Sequence, residues 1–177
     1  MTSTLYEPIM VALLTLLQNG TSGVFSTYQR GIVMLEQLAQ AKVNNQPLRQ
    51  PALFLYDGVG FGEGKIKYEQ RGRSRPPVRI IERTIVLYAK APVTAGQTDG
   101  SVGGPIAGVT ATGGPVFHPL IEAVEAVFQQ TDSQGALTLG NLVSHCWLEG
   151  EGVLIPTEID PVNGQGMATL PVKIMVP

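Results

Sequence analysis

Cysteine occurs once in the 177 residues, at Cys146. A lone cysteine excludes an intramolecular disulfide and suits a reducing compartment. Histidine occurs twice, at His118 and His145. One cysteine with two distant histidines lacks the paired spacing of a structural zinc site. Charge is scarce, with 15% charged residues against about 25% in an average soluble chain. The net charge of −2 gives neither the positive field of a general nucleic-acid binder nor strong steering of a charged ligand. Long apolar runs are missing too. The longest, residues 9–17, is broken by Thr15 and falls well short of the roughly 20 residues of a membrane helix. The opening residues carry no basic stretch before an apolar run. The expectation is therefore no secretory signal, no membrane contact and a soluble protein assembled in cytoplasm.

What is present is apolar: 44% of the chain is hydrophobic. That is ample for a core and leaves few charges to solvate a surface, so part of the surface is expected to be covered by a neighbouring subunit or partner. The spacing of Leu5, Ile9, Leu13, Leu16 and Leu17 predicts a helix over 3–19. Its start is marked by the capping pattern Thr4 to Glu7 with Pro8 in the first turn, and its end by Asn19-Gly20. Met10 and Leu14 make its other side apolar as well, so more than one face should be buried. A second helix is predicted over 117–131, opened by Pro119. It carries a stripe of Leu120, Ile121, Val124, Val127 and Phe128 opposite Glu122, Glu125 and Gln129. Strands are predicted at 24–28, 52–58 and 78–90, with a hairpin of 141–149 and 152–156 and a last strand at 167–176. The segment "IVLYA" at 85–89 is apolar on both faces, which marks a central strand. Pro171 removes a ladder donor and predicts an edge position for the last strand. Residues 31–43 favour neither state, and 44–51 reads as a loop. No βαβ repeat occurs. The class is α+β, a largely antiparallel or mixed sheet with two or three helices packed on it. It forms one domain over 1–177 with mobile insertions at about 58–77 and 92–115.

The rare residues crowd into "GNLVSHCWLEGEG" at 140–152. A thiolate nucleophile needs a base within hydrogen-bond reach. On a strand, adjacent side chains point to opposite faces, so His145 cannot serve Cys146. Cys146 and Trp147 read as packing residues. The glycines at 58–64 match neither G-x-x-x-x-G-K-[ST] nor G-x-G-x-x-G. Glu122 and Glu125 read as a solvated helix face. Neither a catalytic residue nor a cofactor or metal site is assigned.

Two stretches without rare residues carry the functional expectation. Lys65, Lys67, Arg71, Arg73, Arg75, Arg79, Arg83 and Lys90 are eight of the twelve basic residues. The plain reading is a solvated loop; the alternatives are an interface with an acidic partner or phosphate contacts with passing nucleic acid. The segment 92–115 holds seven glycines, among them Gly96, Gly103, Gly104, Gly113 and Gly114. It cannot pack a core, and it is either a solvent loop or an arm that orders against a neighbouring subunit. Lys65, Lys67, Arg71, Arg73 and Arg75 and those five glycines are the candidate interface residues.

Five stretches occur in a fixed order: "EPIMVALLTLL", "QPALFLYDG", "ERTIVLYAKAP", "FHPLIEAVEAVF" and "LTLGNLVSHCWLEGEG". Together they resemble the tail terminator, or tail completion, proteins of long-tailed bacteriophages, over about 5–16, 50–58, 82–92 and 117–177. The segments 58–77 and 92–115 depart from the pattern by their length. The resemblance implies a non-enzymatic virion protein of the tail neck, without cofactor. It implies a homohexameric ring that caps the tail tube, stops its polymerisation and joins the head–tail connector or stopper protein. DNA passing the lumen would touch it without sequence specificity. The alternatives are another neck or head–tail adaptor, a tail tube subunit or, more remotely, a small Cys-dependent enzyme.

Overall fold

The computed structural model describes residues 6–31, 42–43, 46–48, 51–57, 65–70, 78–90, 114–160 and 165–176. Helix α1 spans Tyr6–Gly20 and buries Ile9, Met10, Leu13 and Leu17 as one stripe. Met10 of the second apolar side is buried and Leu14 packs on the core, as expected, while Val11 is 53% exposed and Thr15 is exposed on the strip that faces away. Thr4, the expected capping residue, lies outside the described residues. The end of α1 at Gly20 is a packing requirement as well as a chain break. A Cβ there would lie 2.6 Å from Cγ2 of Val127, a fully buried residue of the second helix.

That helix, α2, spans Gly114–Phe128. It starts earlier than the sequence pattern suggests. Gly114 is its first residue rather than part of a free arm, and Pro119 lies inside it instead of opening it. The cost is one hydrogen bond near the N-terminus, where unpaired groups are already present. Leu120, Val124 and Val127 are buried, while Glu122 and Glu125 are exposed.

The strands are β1 (Thr27–Arg30), β2 (Lys42–Val43), β3 (Gln46–Pro47), β4 (Ala52–Tyr56), β5 (Lys65–Glu69), β6 (Val78–Lys90), β7 (His145–Leu148), β8 (Val153–Asp160) and β9 (Gln165–Val176). β2 lies at the end of the stretch that favours neither state and β3 in the stretch expected to be a loop, and the two pair with each other. The other seven form one sheet in the order β1-β4-β6-β9-β7, with β5 also on β6 and β8 also on β9. β6 and β9 pair from Arg79–Val176 to Lys90–Gln165, and every flanking strand is too short to cover more than part of them. One end of the sheet therefore reads β1-β4-β6-β9-β8, and the other β5-β6-β9-β7. All pairings are antiparallel except β1 with β4. A mixed sheet with helices on one face is an α+β fold, as the element pattern indicates.

Both helices sit on the same face. There Leu53, Leu55, Ile81, Ile85, Leu87, Val172, Ile174 and Cys146 join Ile9, Leu13, Leu17, Val124 and Val127 in the main core. Ala52, Phe54, Val86, Tyr88 and Met167 point to the opposite face, where Leu48 packs on them in a second cluster. "IVLYA" is thus buried on both faces in the middle of the sheet, as its composition implies. Each large apolar side chain so buried contributes about 1.5–3 kcal/mol relative to exposure.

Three sequence expectations are corrected. β9 is not an edge strand, since β6 flanks one side and β7 and β8 share the other. Segments 141–149 and 152–156 do not form a hairpin; β7 and β8 run end to end along β9 and do not pair with each other. The first strand begins at Thr27 rather than at 24. The proline misled because an edge is not the only place that needs no donor. β7 reaches β9 only as far as Leu148–Val172, and β8 starts at Val153–Thr169, so Pro171 falls in the gap between them. The Glu149 amide donates to the Pro171 carbonyl at 3.2 Å. The side of Pro171 that lacks an N–H therefore faces this interruption, where no ladder bond is lost.

Candidate functional site

The narrow end of the sheet, β5-β6-β9-β7, gathers the residues that the sequence singled out and the described part of the basic stretch. Alternation along β6 divides the basic residues between faces. Lys67 lies on the helix-free face, where its ammonium pairs with Glu69 at 2.8 Å. Lys65 holds the register position beside Glu82. Arg79 and Arg83 alternate with Glu82 and so belong to the helix side. The described cations therefore do not make one basic patch. Arg71, Arg73, Arg75, Gly96, Gly103, Gly104 and Gly113 lie outside the described residues.

Arg83 is largely enclosed, its side chain only 11% exposed, and its Nε has no hydrogen-bond partner. Asp57 lies 3.5 Å away and also pairs with Arg30 at 3.2 Å, while Arg30 pairs with Glu7 of α1. Burial lowers the Arg83 pKa, and the Asp57 charge opposes that shift. Two cations and two carboxylates here tie the start of α1 to the ends of β1 and β4. The cluster is charge-balanced, which suits a clamp between elements better than an ion-binding site.

On the helix-free face β7 and β9 build a chain of polar contacts. The rings of His145 and Trp147, two residues apart on one strand, stack with centroids 5.0 Å apart and planes 10° apart. His145 Nδ1 accepts the Leu137 amide at 3.1 Å, which fixes the ring. The Trp147 indole N–H donates to one oxygen of Glu149 at 2.5 Å, and Lys173 donates to the other at 2.7 Å. The hydrogen bonds from Lys173 and then from Trp147 hold the Glu149 carboxyl below its ordinary pKa, and Glu149 raises that of Lys173. Trp147 was expected to pack, and it does so against His145. It is half-buried and uses its polar edge. The i, i+2 spacing of His145, Trp147 and Glu149 was the signal for a shared face.

Cys146 points the other way, as strand geometry requires. It is 0% exposed in the helix-side core beside Ile174, and burial pushes its thiol up to about 12. A thiol so placed stays protonated and shielded, the opposite of a reactive cysteine. His118 is on the exposed face of α2. The structure brings neither histidine to the cysteine. Among the described residues no group of three or more His, Cys, Asp or Glu could hold a metal ion, and no helix is long and apolar enough to cross a membrane.

One feature of this end escaped the sequence reading. β5, "KIKYE", alternates, and its apolar side is not covered. Ile66 is 42% exposed and Tyr68 is 63% exposed, both on the helix side beyond the shelter of the helices. Neighbouring Ile81 and Val176 are fully enclosed. Among the described residues β5 and β7 are the two outer strands of this end.

No protein-family model matches the chain, and no curated protein matches it.

Proposed function

We propose that this protein is a structural assembly subunit, a tail terminator of a long-tailed bacteriophage. It acts as a ring, six copies in the reading the resemblance implies, that caps the tail tube and presents a joining surface to the head–tail connector. The observation that carries the assembly reading is the exposed apolar pair Ile66 and Tyr68 side by side on an outer strand of the sheet, where Val153 on β8 is a single exposed apolar residue. Isolated apolar residues on a surface are ordinary, but an apolar strip on a sheet edge is an association surface. The ordered sequence resemblance supplies the identity of the assembly. The burial of Cys146 weighs against the remote alternative of a cysteine-dependent enzyme.

The reading is tested in a phage carrying this gene. Depleting the protein yields tails of uncontrolled length that do not join heads, and resupplying it restores uniform, joined tails. Uniform and joined tails without it contradict the proposal. Tails that fail to form at all indicate a tube subunit instead.

A further inference from the structure

We infer that neighbouring copies meet edge to edge, β5 of one copy lying antiparallel against β7 of the next. This rests on the assembly reading above and specifies its contact.

Three observations carry it. The first is direction. β5 is antiparallel to β6, β6 to β9 and β9 to β7, so β5 and β9 run one way and β6 and β7 the other. A second copy placed beside the first in the same orientation brings its β5 against β7 and continues the antiparallel alternation. Two β5 strands, or two β7 strands, could meet as an antiparallel pair only by turning one copy over. The head-to-tail contact uses two different patches and is the kind that closes into a ring.

The second is the state of the two edges. β7 has four residues and β5 has five, a close match in length. With Glu149 directed at Pro171, alternation turns the backbone groups of Cys146 and Leu148 away from β9, toward the outer side of β7. Among the described residues no strand receives them. Strand addition would pair these groups and would cover Ile66 and Tyr68 on the helix side.

The third is charge. β5 carries Lys65 and Lys67 with one acidic residue, Glu69, paired with Lys67, and so is net positive; the segment leaving β7 carries Glu149, paired with Lys173, and Glu151, with no basic residue of its own. Opposite signs at the two edges favour unlike over like pairing and suppress dimers of two β5 edges.

The test uses the full chain with Lys67→Cys and Glu149→Cys, both exposed and both on the helix-free face. Within one copy Lys67 stands level with His145 across β6 and β9, and Glu149 lies four residues further along. An ethylene-bridged bis-maleimide that links the two within one copy leaves the subunit mass unchanged on a denaturing gel, so only links between copies add steps. Buried Cys146 serves as the unreactive internal control. The double variant is expected to give a denaturing-gel ladder in steps of one subunit mass up to the full ring, and each single variant to remain monomeric on the gel. Tyr68→Asp is expected to raise the concentration needed for assembly by about tenfold or more while leaving the circular dichroism spectrum unchanged. Rings on a native mass spectrum without a cross-linked ladder overturn this contact and leave the assembly reading standing. Dimers from Lys67→Cys alone show like-edge pairing and overturn it as well. Absence of both rings and ladder overturns the two together.

Discussion

The amide of Glu149 donates to the carbonyl of Pro171 in the gap between β7 and β8. The proline thereby stands in an inner strand without leaving a carbonyl in search of a donor. Next to it Gly150 has φ +129°, and a Cβ on it would lie 3.0 Å from Cγ of Pro171. Gly150→Ala is therefore expected to lower unfolding stability by about 1–3 kcal/mol, through strain and the close approach. Pro171→Ala should cost under about 1 kcal/mol, since only unfolded-chain entropy is lost. Denaturant titration of both variants measures the contrast; equal effects would contradict this account of the gap.

Trp147, the only tryptophan, donates to Glu149 and so reports on its ionisation. The Glu149 pKa is held below its ordinary value of 4.5 by Lys173 and then by Trp147. A depressed carboxylate favours folding above its unfolded pKa, and this contribution fades as pH falls through the lower folded value. The change in Trp147 emission on acidification is expected to have its midpoint below pH 4.5. In Lys173→Met the midpoint should move upward, because the principal cause of the depression is gone.

For Cys146 the sign is reversed. Its thiol is raised from 9.0 to about 12 by burial, so folding favours the protonated form. That contribution is complete below pH 9.0 and declines as pH rises toward about 12. A three-unit shift corresponds to at most about 4 kcal/mol. At pH 8 the native protein is expected to resist iodoacetamide and the denatured chain to react fully. Cys146→Ser should lose about 1–3 kcal/mol from burying a hydroxyl, yet still assemble.

The two kinds of ion pair should respond differently. Asp57→Asn leaves Arg83, 11% exposed, without the carboxylate beside it, and is expected to cost about 2–3 kcal/mol. Lys67→Ala breaks a pair whose lysine is 65% exposed and should change stability by under about 0.5 kcal/mol. Thermal melts of the two variants separate these cases.

These contrasts show where the sequence was legible. The "IVLYA" run gave the central strand, β6 matches the predicted 78–90 at both ends, and the stripe of α2 was readable from its period. The opposite faces of His145 and Cys146 followed from strand geometry alone. What failed was pairing across long separations. Pro171 looked like an edge residue because nothing local shows that two short strands can leave a gap on one flank. The 141–156 segment looked like a hairpin because its strands are neighbours in sequence, whereas both in fact pair with β9. The uncovered side of Ile66 and Tyr68 was equally hidden, because alternation reveals an apolar side and not whether anything packs on it. The outer Gly114 was assigned to the arm because glycine and proline punctuate loops, yet helix α2 begins there.

The central claim is that the working form is a closed assembly of identical subunits. Native mass spectrometry of the purified full-length chain, with negative-stain imaging of the same sample, tests it most directly. The account predicts a discrete species of six subunit masses, seen as single rings that do not stack or lengthen with concentration. A monomer at every concentration, with or without tail tubes, or a filament that grows without limit, would contradict it.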